Sequence, residues 1–323
     1  MWNLIGHERA VSALRRALET NRLPHALLFT GPEGVGKTHL ALELAKALNC
    51  VGDDPPCGSC IHCHQIAIGT HPDISIVERA DGKEGISVAQ IRELRDVASL
   101  RPFQGRRKVY IVAGAEALTD QAADALLKTL EEPQPQLTMI LTATDVEGLP
   151  ATVVSRCRVI SLAPVDTHVI ATTLTESGVA ADVAVQLARL SRGSVGWALR
   201  AAKQPKLATQ QREMVVRLAD LWSLDLEGRL RLIESLTDKK DRAAVRRSLE
   251  LMVVLARDLL FMSQGLTPRF LGEDDRARLE GAAAGLDLRA IHARMAALKA
   301  AMERIDQNVD PRLALEAALI SAA

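Results

Sequence analysis

Over the first half of the chain, short apolar runs closed by turn residues alternate with stretches in which apolar positions recur every three or four residues. Ala26 to Thr30 (Ala-Leu-Leu-Phe-Thr) runs straight into glycines and predicts a buried parallel strand. Ile74 to Val77, Lys108 to Ala113 and Leu137 to Thr142 predict three more. Between them, Lys37 to Leu48 is helix-forming. Val88 to Leu100 places Ile91, Leu94, Val97 and Ala98 on one helical face. Gln121 to Glu132 does the same with Ala122, Ala125, Leu126 and Leu130, and Pro133 ends it. Such alternation describes a parallel α/β sheet. After about Leu162 the strand signals stop, and Ala-, Leu- and Arg-rich helices follow, with Ala201 to Leu207 as a candidate linker.

Composition narrows the class. With 323 residues, 48% of them hydrophobic, the chain is long enough for two or three domains. Forty basic and forty acidic residues cancel, so no global field draws it toward nucleic acid or an anionic membrane. Its first residues show no signal-peptide pattern, and no apolar run approaches the length of a membrane span, so a cytoplasmic protein with no membrane partner is expected. At 2% aromatic content, a stacking platform for single-stranded nucleic acid is disfavoured.

Gly31-Pro-Glu-Gly-Val-Gly-Lys-Thr38 has the GxxxxGK[ST] spacing, after a strand and before a helix. Gly31, Gly34 and Gly36 let backbone amides face phosphates, Lys37 would reach the outer phosphates, and Thr38 would hold magnesium. The bland alternative is a glycine-rich turn without ligand. Of the five cysteines, Cys50, Cys57, Cys60 and Cys63 are spaced C-x6-C-x2-C-x2-C around turn formers. In a reducing compartment that spacing points to structural, tetrahedral zinc rather than disulfides. His62 and His64 are adjacent alternatives as ligands.

A nucleotide hydrolase of this type needs a carboxylate at the end of a later strand to hold magnesium, and usually a second acid to orient water. The strand ending near Val112 runs instead into Ala113-Gly114. Glu116 and Asp120 lie further on, and their simpler role is the solvated start of the next helix. Slow or no hydrolysis is therefore expected, without independent catalysis. Arg156, after the fourth strand, is either a surface ion pair or an arginine finger for a phosphate on a neighbouring subunit. Arg101, Arg106, Arg107 and Lys108 form a basic run that could meet DNA phosphates or be a solvated turn.

These motifs resemble the clamp-loader branch of the AAA+ family that serves bacterial DNA polymerase III. Carrying the likeness are Ile5-Gly-His-Glu8, Arg22-Leu-Pro-His-Ala26, the phosphate loop, the cysteine module and Ala122-Ala-Asp-Ala-Leu-Leu-Lys-Thr-Leu-Glu-Glu-Pro133. Ser155-Arg-Cys157 and Asn308-Val-Asp-Pro-Arg-Leu-Ala-Leu-Glu316 extend it to nearly the whole chain. The resemblance implies an AAA+ P-loop domain with a parallel sheet at 1–162, carrying an inserted zinc module at 50–63. A small helical lid domain at 163–204 and a helical collar domain at 207–323 follow. It implies ATP with Mg2+ at the loop, structural Zn2+, and Arg156 acting in trans on the ATP of an adjacent motor subunit. Implied partners are tau/gamma- and delta-type subunits in a hetero-pentamer, and through it the sliding clamp and primed DNA. Motor subunits of the family keep an acidic pair where this chain has Ala113-Gly114, and an arginine where it has Gly196. An active motor subunit and a zinc-dependent nucleic-acid-binding module are the competing readings.

Overall fold

A computed structural model of the chain describes residues 2–80, 83, 85–98, 101–238, 241–268, 273–282 and 287–320. Five parallel strands, β1 (Ala26–Thr30), β2 (Ile74–Val77), β3 (Lys108–Val112), β4 (Leu137–Ala143) and β5 (Arg158–Ser161), form one sheet in the order β2-β3-β4-β1-β5. The three central strands are buried at every position, matching their near-continuous apolar sequence. Ile74 pairs with Val109, Lys108 with Leu137, and Ala26 with Met139. β5 was not expected: Arg158-Val-Ile-Ser161 is short and mostly exposed, and only its pairing with Leu27 to Thr30 makes it a strand.

Around the sheet lie α1 (Glu8–Glu19), α2 (Lys37–Asn49), α3 (Ile61–Ala67), α4 (Val88–Ala98), α5 (Asp120–Glu131), α6 (Ala151–Val154) and α7 (Thr167–Glu176). Thr119 starts α5 by accepting a hydrogen bond from the Ala122 amide. Ala122, Leu126 and Leu130 are buried as their spacing demands, and Ala125 is half-buried. On α4, Ile91 and Leu94 are buried; the side chains of Val97 and Ala98, and the whole of Leu100, lie outside the described residues. His25 ties the start of the sheet to this layer. Its ring lies 3.0 Å from the Leu130 carbonyl, and its own carbonyl accepts from the Met139 amide at 2.7 Å.

By internal packing the described chain forms two compact units, one of residues 1–178 and 193–199 and one of residues 179–192 and 200–323. The second contains α8 (Ala181–Leu190), α10 (Pro205–Ala219), α11 (Leu226–Thr237), α12 (Arg242–Ser263), α13 (Glu273–Ala282), α14 (Leu288–Asp306) and α15 (Pro311–Leu319), while α9 (Val195–Lys203) begins in the first. In the second unit α12 packs on α14 and α14 on α15, over a core that includes Leu218, Leu249, Leu255, Leu298 and Leu315. Each such leucine contributes about 1.5–3 kcal/mol by leaving water. Arg242 donates to the Ile305 and Val309 carbonyls at the end of α14, both at 2.9 Å. The stretch expected as a linker is helical on both sides of Gln204, because Pro205 stands at the first turn of α10, where a missing N–H costs nothing.

Candidate functional site

The phosphate loop leaves β1 in the middle of the sheet. The Gly31 amide donates to the Thr144 carbonyl at 3.1 Å, pinning the loop to the end of β4. Gly31 has φ 143°, and a Cβ there would stand 2.2 Å from the Leu162 carbonyl oxygen. Gly34 has φ 73°, and its Cβ would meet the Ser194 hydroxyl at 2.2 Å. Neither position admits a side chain without movement. The Gly34 carbonyl accepts from the Gly196 amide at 2.9 Å, and the His7 ring lies 3.0 Å from the Val35 carbonyl. Gly36 is the residue before α2, so Lys37 and Thr38 form its first turn.

Lys37 Nζ donates to the Gly31 and Pro32 carbonyls at 2.5 and 2.9 Å. Burial lowers its pKa, and the charges of Glu116 and then Glu33 oppose that. The arrangement can take an anion: the helix start supplies amides, and a cation is held over the loop.

Opposite the loop, β3 ends without an acid. Gly114 follows with φ 70°, its amide donating to Thr142 Oγ1 at 3.1 Å. The next three residues, Ala115–Ala117, form a 3-10 turn. Glu116 and Asp120, grouped together in the sequence reading, part company here. Asp120 opens α5 as expected. Glu116 turns back, its Oε1 accepting from the Thr144 amide at 3.2 Å. No spacing rule signalled this, because the reversal depends on a left-handed glycine and on where β4 ends.

The four cysteines meet. Their sulfurs all lie within 4.8 Å of one another and form no disulfide. A tetrahedral ion with thiolate bonds of about 2.3 Å places sulfurs about 3.8 Å apart, so the cluster fits one. Cys57 and Gly52 amides donate to Cys50 Sγ at 3.3 and 3.4 Å, and the Cys60 amide donates to Cys57 Sγ at 3.3 Å. Amides of Ser59 and Cys60 hold the Cys57 thiol down at about 6, while burial pushes Cys63 up to about 12. A bound dication would offset that burial and keep all four deprotonated. His62 faces elsewhere, its Nδ1 lying 3.0 Å from His71 Nε2.

Beyond the module, Asp73 is buried and accepts the amides of Phe103, Gln104 and Gly105 at 2.6, 2.9 and 2.7 Å. It thereby fastens the loop carrying the basic run. Arg101 and Arg106 are exposed on it, but Lys108 is buried in β3 and presents no charge to a ligand. Arg156 follows α6. Its guanidinium donates to the Thr152 carbonyl at 2.9 Å and pairs with Glu131 at 2.6 Å, with side chains 36% and 49% exposed. A pair this open contributes about 0–1 kcal/mol, so it positions the arginine without committing it.

A sequence profile described as "DNA polymerase III, delta subunit" matches residues 6–166. The DNA polymerase III subunit delta' of Bacillus subtilis is 28% identical, across 94% of this chain and 92% of its own. The subunit tau of Escherichia coli is 33% identical across 91% of this chain and 46% of its own, and the subunit tau/gamma of Haemophilus influenzae 37% across 60% and 29%. The chain thus spans less than half of those tau and tau/gamma relatives and nearly all of the delta' one. With a phosphate loop on a five-stranded parallel sheet, a four-cysteine cluster inserted after α2 and these relatives, the chain belongs to the delta'/tau/gamma family of DNA polymerase III clamp-loader subunits.

Proposed function

We propose that this chain is the delta' member of a clamp loader, a non-motor subunit that helps place the sliding clamp on primed DNA. The observation that carries the reading is an intact phosphate loop together with a β3 strand that runs out into Ala113 and Gly114, with no acid at either position. ATP with Mg2+ binds at Gly31, Gly34, Gly36, Lys37 and Thr38 and is turned over slowly or not at all. Arg156 acts in trans, leaving its weak pair with Glu131 for the phosphates of an adjacent tau/gamma subunit. Zinc at Cys50, Cys57, Cys60 and Cys63 orders a segment with few apolar residues of its own.

Within this proposal residues 1–162 are the AAA+ domain, 163–204 the lid and 207–323 the collar that joins tau/gamma and delta subunits in a hetero-pentamer. The protein works in the cytoplasm. The test is the ATPase rate of the reconstituted loader with clamp and primed DNA, carrying Arg156→Ala or Lys37→Ala in this chain. Arg156→Ala is expected to slow the neighbouring site by about 10³-fold or more, as for other arginine fingers, while Lys37→Ala leaves turnover intact. The reverse pattern would identify this chain as a motor subunit.

A further inference from the structure

The end of β3 lacks the acids that a nucleotide-bound magnesium ordinarily meets, yet one carboxylate is tied to the phosphate loop through a single intervening residue. After Val112 the Ala113 amide donates to the Val77 carbonyl at 2.8 Å, which completes the strand. Gly114 then reverses the chain through its positive φ, and Ala115, 1% exposed, plugs the 3-10 turn into the core. The turn aims Glu116 at the end of β4. Its Oε1 accepts from the Thr144 amide at 3.2 Å, and the carbonyl of that same Thr144 accepts from the Gly31 amide at 3.1 Å. One residue therefore joins the carboxylate to the first glycine of the loop. Gly148 closes over the stem: a Cβ there would lie 3.2 Å from Glu116 Cβ, and its amide is held by Asp145 Oδ1 at 3.0 Å.

A carboxylate carries about four acceptor sites, and the Thr144 amide uses one. The remainder are free to face a cation or a water in its shell. Lys37 already senses the charge, since Glu116 is the largest of the acidic influences that oppose its burial.

We infer that Glu116 stands in for the missing strand-end acids as the carboxylate that reads the divalent ion accompanying a bound nucleotide. The inference rests on the phosphate loop being a nucleotide site. Its consequence is electrostatic. A fixed negative charge beside the loop repels a metal-free polyphosphate and favours one carrying Mg2+, so it makes binding metal-dependent without making the chain a hydrolase.

The experiment measures the affinity of the full-length protein for a fluorescent ATP analogue, in Mg2+ and in EDTA, for wild type, Glu116→Gln and Lys37→Ala. Glu116→Gln preserves shape and the acceptor for Thr144, and a thermal melt verifies that it folds. The wild type is expected to bind more tightly in Mg2+. In Glu116→Gln the ratio of the two affinities is expected to fall about fivefold or more, with tighter binding in EDTA, a coupling of the usual size between two ligands. An unchanged ratio in a variant that still binds overturns the role of Glu116 and leaves the nucleotide site standing. If the wild type binds no nucleotide, or binds it equally well after Lys37→Ala, the reading of the loop fails and the inference with it.

Discussion

Replacing Asp73 by Asn removes one charge while nearly preserving shape, and the surrounding geometry dictates the cost. Oδ1 accepts the Phe103 amide, and Oδ2 accepts those of Gln104 and Gly105. An asparagine can turn its single oxygen toward the latter two, and its NH2 then confronts the Phe103 amide, donor against donor. Hydrogen bonds to a charged acceptor contribute about 1.5–3 kcal/mol against about 0.5–1.5 for neutral ones, so two weakened bonds lose about 2 kcal/mol. The orphaned amide adds about 1–3 kcal/mol, giving a destabilisation of about 3–5 kcal/mol. Native-state hydrogen exchange is the assay, because it reads the loop of residues 101–107 separately from the helical unit. Protection of the three amides is expected to drop by two orders of magnitude or more, on the order of the factor that about 3 kcal/mol implies. A loss equivalent to less than about 1 kcal/mol would refute the claim that Asp73 anchors this loop. The pH dependence has a definite sign. Burial alone would raise the pKa of Asp73, but the three amides outweigh it and lower the pKa below the ordinary 3.8. The stabilisation is therefore complete above that value and is lost as pH falls below it toward the folded-state pKa.

Gly31→Ala is expected to destabilise the first unit by about 1–3 kcal/mol through overpacking, since the added methyl meets a backbone carbonyl that cannot rotate away; a urea midpoint that does not move would contradict the geometry. Gly114→Ala meets open space but a positive φ, so a cost of about 1 kcal/mol from backbone strain alone is expected in the same assay. That strain also limits how much an engineered Ala113→Asp, Gly114→Glu pair can restore hydrolysis. Under the zinc proposal, Cys63→Ser should abolish bound zinc in metal analysis and expose residues 50–67 to exchange, whereas Cys157→Ser, which is not one of the clustered four, should leave the zinc content unchanged. Arg156→Ala should alter the melting of the isolated chain by no more than about 1 kcal/mol, the worth of an exposed pair, and a larger change would make the arginine a structural element.

Much of this architecture is written in short-range spacing. Ala26 to Thr30 and Leu137 to Thr142 are legible as strands because a fully buried strand is apolar along most of its length, and the helical faces of α4 and α5 because a helix repeats every 3.6 residues. The phosphate loop and the cysteine quartet are legible for a related reason: the residues that build each lie a few positions apart, so spacing is geometry. The absence of acids at 113 and 114 needed nothing but the order of residues.

Other features depend on which strand lies beside which. Arg158 to Ser161 is a strand only because β1 offers its free edge, a pairing across more than a hundred residues. Lys108 closes the basic run in sequence but is buried, because β3 is flanked on both sides. Asp73 became an anchor, and His62 turned away from the cysteine cluster, through contacts set by the loops between elements rather than by periodicity. Glu116 shows the division most plainly. Its identity and its distance from β3 were visible from the start, but its direction was not. That direction was decided by one left-handed glycine and by β4 ending beside β1, so that Thr144 could offer its amide to Glu116 and its carbonyl to Gly31.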